Sequence, residues 1–152
     1  MAAIHNLRAM ELHTTFTSPF GLMARIVILE KGLAERVSVI EAKTRITNSP
    51  YYKINPSGRV PYLICDDGTG LEGSQLICTY LDHLVESPVL EHPIGPEGWE
   101  SRRLESLARS MLDGISVWSR ELSRMPDEQS PKIIAHETER ARRMTKVWEQ
   151  EI

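Results

Sequence analysis

The chain has 152 residues, enough for one well-buried domain or for a small domain with an appendage. Its 41% hydrophobic and 26% charged content is ordinary for a globular protein in water, and 18 basic against 21 acidic residues leave a net charge of −3, which offers no whole-chain field for nucleic acid or an anionic membrane. No apolar run approaches the roughly 18 residues of a membrane span. The opening stretch Met1–Arg8 lacks the continuous apolar core of a signal peptide, so the expectation is a cytoplasmic protein with neither a membrane nor a nucleic-acid partner.

Two cysteines, Cys65 and Cys78, form no C-x-x-C pair and stand at no zinc-ligand spacing, so both are expected as buried, reduced thiols. The five histidines are scattered without an H-E-x-x-H pattern, and no metal is expected.

Taken in order, Arg8 to Thr15 alternates Met10 and Leu12 with Glu11 and His13, a short strand. Ser18-Pro19 is a helix-start signal, with serine as N-cap and proline at the first helical position. That helix is expected to run through Ile26, Val27 and Leu29 to Lys31 and to end at Gly32. Arg36–Glu41 alternates and is β-branched, a second strand, and a crossover of this length implies a parallel pair. Ala42 to Ile54 is polar and irregular, with one helical turn expected near Pro50-Tyr51-Tyr52.

Asn55-Pro56-Ser57-Gly58-Arg59-Val60-Pro61-Tyr62-Leu63-Ile64 then reads as a turn followed by a proline one residue into an apolar strand. Proline has no N–H for a sheet ladder, so an edge strand with a trans bond is one reading. The other is a cis Val60–Pro61 bond, which would turn the backbone groups of Val60 outward to pair with an extended peptide ligand. Asp66-Asp67-Gly68 is a hairpin turn, and Glu72-Gly73-Ser74 opens a helix with the stripe Leu76, Ile77, Tyr80, Leu81 and Leu84.

The domain boundaries expected from these patterns are 8–85 for a small α/β domain (βαβ then ββα), 86–98 for a Pro- and Gly-rich linker, and 99–152 for an all-α segment. In that segment Leu104, Leu107, Ala108, Met111, Leu112, Ile115, Trp118 and Leu122 share one helical face, and Ile134, Ala141, Met144, Trp148 and Ile152 share another. Each stripe is wide enough to want a third neighbour, so the helical domain is expected to be incomplete or completed by a partner chain.

Ser18-Pro19-Phe20-Gly21, Arg25-Ile26-Val27, Glu30-Lys31-Gly32-Leu33, the run Asn55 to Pro61, and Leu71 with Ser74 together resemble a glutathione transferase of the serine type, bacterial or tau-like. The resemblance implies a thioredoxin-like N-terminal domain with glutathione as co-substrate and a small hydrophobic electrophile as its partner in a detoxification reaction. It implies Ser18 as the catalytic hydroxyl that donates to the glutathione sulfur. A free thiol titrates near ~8.5, and a hydroxyl donor at the positive end of a helix favours its anion. On the residues alone Ser18 is a helix cap, and Thr15 and Thr17 are neighbouring hydroxyls. The resemblance also implies a cis Val60–Pro61 clamp, Arg59 for a ligand carboxylate with Arg45 and Asn48 as weaker candidates for the same end, and Ser74 at a helix N-terminus for the γ-glutamyl carboxylate. On the residues alone Ser74 too is an N-cap.

One departure stands out. The family usually has Glu or Gln directly before this serine, whereas here Gly73 holds that place and Glu72 lies one position earlier. Either Glu72 reaches in from a backbone that glycine permits, or a ligand contact is lost at a cost on the order of 1.5–3 kcal/mol. A glutathione-dependent isomerase or reductase and a non-catalytic interaction module on the same scaffold are the alternative functions. The resemblance further implies a homodimer through the helices at Ser74–Leu84 and Trp99–Leu122.

Overall fold

The computed structural model describes residues 9–151, which places the expected strand residue Arg8, the Met1–Arg8 stretch and Ile152 outside the described residues. The chain divides into two compact units, Met1–Glu91 and His92–Ile152.

The first unit runs β1 (Met10–Thr14), α1 (Pro19–Glu30), β2 (Val37–Glu41), a 3-10 turn (Pro50–Lys53), β3 (Tyr62–Ile64), β4 (Gly70–Glu72) and α2 (Ser74–His83). The four strands lie in the order β2-β1-β3-β4; β1 and β2 are parallel, and the other neighbours antiparallel. This is a thioredoxin-like arrangement, and each local signal has a visible cause. Gly21 donates its N–H to the Ser18 Oγ at 3.1 Å, and Pro19 occupies the first turn. The far end of α1 closes with Gly32 at φ 64°, the Leu33 N–H donating to the Ile28 carbonyl and the Gly32 N–H to that of Leu29. That double bond with a left-handed residue is the Schellman ending. Pro61 is not inside a strand: β3 begins at Tyr62, so no ladder bond is asked of a residue without an N–H.

Met10 and Leu12 on β1, Val37 on β2, Leu63 on β3, Ala24 and Ile28 on α1, and Ile77 and Leu81 on α2 form the core, with Leu33 and Cys65. Neither cysteine is in a disulfide; Cys65 is buried and Cys78 half-buried. Burial pushes the Cys65 thiol up, and pushes the neighbouring Tyr80 phenol up to about 12. The helix α1 approaches β1 closely at Gly21, where an added Cβ would meet the Thr14 Oγ1 at 1.8 Å. Gly21→Ala is therefore expected to destabilise the unit by about 1–3 kcal/mol, seen as a lower urea midpoint with unchanged slope.

A buried ion pair joins the two helices. Lys31, the C-terminal cap of α1, has its ammonium 2.9 Å from the Asp82 carboxylate, both side chains almost fully buried. The same ammonium donates to the carbonyls of Val85 and Pro88, while Asp82 accepts from the N–H groups of Leu90 and Glu91. The segment after α2, which contains a cis Ser87–Pro88 peptide, is thus pinned to the helix ends by one charge pair.

The second unit is an antiparallel pair, α3 (Trp99–Leu122) and α4 (Pro131–Glu151). The pairing direction shows in Arg103 against Glu151 at 2.6 Å, Arg140 donating to the Ser110 carbonyl at 2.9 Å, and the Ser130 N–H donating to Glu121 at 2.6 Å. Gly114 sits mid-helix, where glycine costs about 1 kcal/mol against alanine. Its reason is close approach: a Cβ there would meet the Glu137 Oε2 at 2.9 Å and the Arg140 Nε at 3.0 Å. Leu104, Met111, Ile115 and Trp118 on α3 and Ile134, Met144 and Trp148 on α4 are half-buried.

Candidate functional site

Strand register decides which loops meet. His13 on β1 lies opposite Tyr62 on β3, and Tyr62 opposite Glu72 on β4. Beyond that row the chain leaves β1 toward Ser18, enters β3 from Arg59-Val60-Pro61, and leaves β4 toward Gly73-Ser74. All three stretches therefore emerge at one end of the sheet. Two strand spacings, roughly 10 Å, separate the outer pair, about the reach of three extended residues.

Ser18 is half-buried at the start of α1, with its oxygen accepting from Gly21 and its hydroxyl proton without an acceptor among the described residues. Neither α1 nor α2 carries an acidic residue in its first turn, so the positive ends of both helix dipoles are left uncompensated. Thr15 is half-buried and Thr17 exposed.

The Val60–Pro61 peptide is cis, with Pro61 buried and Val60 half-buried. Neither the N–H nor the carbonyl of Val60 has a hydrogen-bond partner among the described residues. The turn before it is firmly held. Asn55 accepts from the Ser57 N–H at 3.1 Å, the Arg59 N–H donates to the Ser57 Oγ at 3.1 Å, and Gly58 at φ 66° leaves room for the Tyr52 ring. The Arg59 side chain is exposed, as are Arg45 and Asn48, which hold left-handed backbone at φ 58° and 59° in the loop after β2.

Ser74 is the first residue of α2 rather than its cap, and it is buried. The cap position belongs to Gly73 at φ 94° and ψ 131°, a conformation that a side chain adopts only with strain and that leaves the helix start without a capping side chain. Glu72 is exposed, and its Oε1 accepts from the Ser57 hydroxyl at 2.7 Å, so this carboxylate also braces the turn that carries Arg59.

Residues 17–84 match the family described as Glutathione S-transferase, N-terminal domain. Residues 17–84 are a glutathione S-transferase N-terminal domain. Over 140 residues, 92% of this chain and 68% of the relative, it is 28% identical to the uncharacterized GST-like protein YibF of Escherichia coli strain K12. Among solved structures it is similar to a glutathione S-transferase of Methylobacillus flagellatus KT with GSH bound, at TM-score 0.81 and 28% identity over 93% of this chain and 69% of that one. It is similar too to a glutathione transferase family member of Pseudomonas fluorescens Pf-5 with bound glutathione, at TM-score 0.84 and 25% identity over 93% of this chain and 71% of that one.

Within the transferase domain, sequence reasoning missed the bracing by Ser57, Tyr51 and Asn55. Asn55 directly before Pro56 was the available signal, since asparagine side chains bond their own backbone two residues on. An open groove of about 530 Å³ beside Phe16, Arg25, Leu29 and Val39 contains none of the candidate residues. Phe16 there lies under the Arg25 guanidinium at 5.0 Å. No group of three or more His, Cys, Asp or Glu side chains suited to a metal occurs among the described residues, and no helix among them is long and apolar enough to cross a membrane.

Proposed function

We propose that this chain binds glutathione across the Ser18, Val60 and Ser74 end of its sheet and conjugates the thiolate to small hydrophobic electrophiles. The observation that carries the reading is the register row His13, Tyr62, Glu72, because it brings those three stretches to one edge at tripeptide reach. In this scheme the Val60 N–H and carbonyl pair with the cysteinyl unit as an added strand does, with Pro61 holding the end of the clamp. The open N-terminus of α2 and Ser74 receive the γ-glutamyl carboxylate, Glu72 the ammonium beside it, and Arg59 the other carboxylate. The Ser18 hydroxyl donates a hydrogen bond to the sulfur, which is a thiolate once the thiol proton has passed to solvent. The tripeptide is the nucleophile, so the enzyme forms no covalent intermediate: sulfur bonds to the electrophilic carbon as the leaving group departs with its electron pair. The reading extends to a cytoplasmic homodimer through α2 and α3, for which sedimentation is the check.

The deciding experiment is retention on immobilised glutathione followed by an assay with an activated aryl chloride. Retention with release by millimolar free glutathione is expected, and failure to bind at that concentration would favour the non-catalytic interaction reading. One observation supports that rival, the engagement of the Glu72 carboxylate by Ser57. Gly73→Gln, which installs the residue type usual in the family, is expected to lower stability by about 1–3 kcal/mol through backbone strain at positive φ, measured by urea unfolding.

A further inference from the structure

We infer that Tyr51 and Asn55 are positioning residues that aim the Val60 N–H, through a two-donor clamp on the carbonyl of Arg59. The inference rests on the glutathione reading above and adds to it the device that orients its central contact.

The Tyr51 hydroxyl donates to the Arg59 carbonyl at 2.5 Å and the Asn55 Nδ2 donates to the same oxygen at 3.0 Å. Both donors are buried, Tyr51 at 4% and Asn55 at 2% exposure, whereas the Arg59 side chain is exposed. That oxygen therefore points inward. The Arg59 carbonyl and the Val60 N–H belong to one planar peptide unit, and in a trans unit they point in opposite directions. The two cis peptides among the described residues are elsewhere, so the Arg59–Val60 unit is trans. Pinning its oxygen toward the interior turns the Val60 N–H outward, where it has no partner among the described residues.

The clamp is itself well held. The turn Pro50–Lys53 places Tyr51 with its N–H donating to Ser49, and the Tyr51 ring lies 5.9 Å from that of His13 on β1. The Asn55 side chain has both ends engaged, since its Oδ1 accepts from the Ser57 N–H. Burial pushes the Tyr51 phenol above its ordinary value, so at neutral pH it is a hydroxyl donor. Together the two donors fill both lone-pair positions of that oxygen, which fixes its direction more firmly than either would alone.

Tyr51→Phe removes one donor and keeps the ring. Asn55→Asp keeps the acceptor for Ser57 while replacing the donor by an oxygen facing another oxygen. Each folded variant is expected to bind glutathione and S-methylglutathione about three- to tenfold more weakly by calorimetry. The pH dependence of the bound glutathione thiol should be unchanged, because Ser18 is untouched. In the ligand-free protein the Val60 amide should shift in its nitrogen–proton NMR correlation in both variants. A purely structural role would lower the unfolding midpoint yet leave the affinity of the folded fraction and the Val60 amide alone, and that result overturns the inference. Wild-type protein that fails to bind glutathione overturns the functional reading instead, with the Val60 amide shift still testing the clamp.

Discussion

Lys31→Met should cost the first unit about 3–5 kcal/mol, the range for removing one member of a buried ion pair and leaving the other charge unpaired. For a chain of this size that corresponds to a fall in melting temperature of roughly 10 °C. The size follows from how much converges on the pair: the ammonium holds two carbonyls of the segment after α2, and the carboxylate two amides of the same segment. Asp82→Asn should be about as damaging, since it leaves Lys31 charged in a dry site. Lys31→Met combined with Asp82→Leu should recover part of the loss, because a matched apolar pair removes the desolvation penalty that each single variant exposes.

The pair also sets an acid limit. Burial by itself would raise the Asp82 carboxyl, but the Lys31 hydrogen bond and the two backbone amides outweigh it and hold the group below its ordinary range. A carboxyl depressed in the folded state contributes stability fully above its unfolded value, near ~3.9, and loses that contribution as pH falls through the folded one. Urea midpoints measured from neutral pH down through about pH 3 should therefore fall for the wild type. Asp82→Asn, lower throughout, should show a shallower acid branch. An equal slope in both would remove Asp82 from the acid response.

The parts of this molecule readable from its residues are those fixed by local chemistry. Ser18-Pro19 announces a helix start because serine accepts the orphan N–H and proline needs none. Gly32 announces its end, and the alternation in Arg36–Glu41 a strand, observed as Val37–Glu41. The crossover rule then makes β1 and β2 parallel, as observed.

What was not readable depends on distant chain. Glu30-Lys31-Gly32 looks like a solvated helix end, and only the return of the segment beginning at Val85, 54 residues on, buries the lysine. Tyr51 sits in a polar, irregular stretch that suggests surface packing, yet it is buried beneath the turn it braces. Ser74 reads as a cap by residue type. The backbone hands that position to Gly73, whose φ of 94° no pattern of apolar residues signals. Glu72, in turn, shows its tie to Ser57 only once β3 and β4 are paired.

Ser18→Ala should raise the pKa of the bound glutathione thiol by about one to two units, since the hydrogen bond to a thiolate is worth on the order of 1.5–3 kcal/mol and one unit is 1.36 kcal/mol. At neutral pH the thiolate fraction, and turnover with it, should fall about ten- to a hundredfold, with recovery as pH is raised past the new value. Alanine also removes a helix cap, at about 1 kcal/mol of stability, so this variant alone mixes two effects. The hydrogen bonding of Ser18 separates them. Its oxygen caps Gly21, whereas its proton is the part the proposed chemistry needs. Ser18→Thr keeps both functions and should keep the thiol pKa near that of wild type. Ser18→Asp keeps an acceptor for Gly21 but has no proton to give when ionised, and adds a negative charge beside the sulfur. It should fold nearly as well as the wild type and show the highest thiol pKa of the set. If activity instead followed stability across the three variants, Ser18 would be a cap and nothing more.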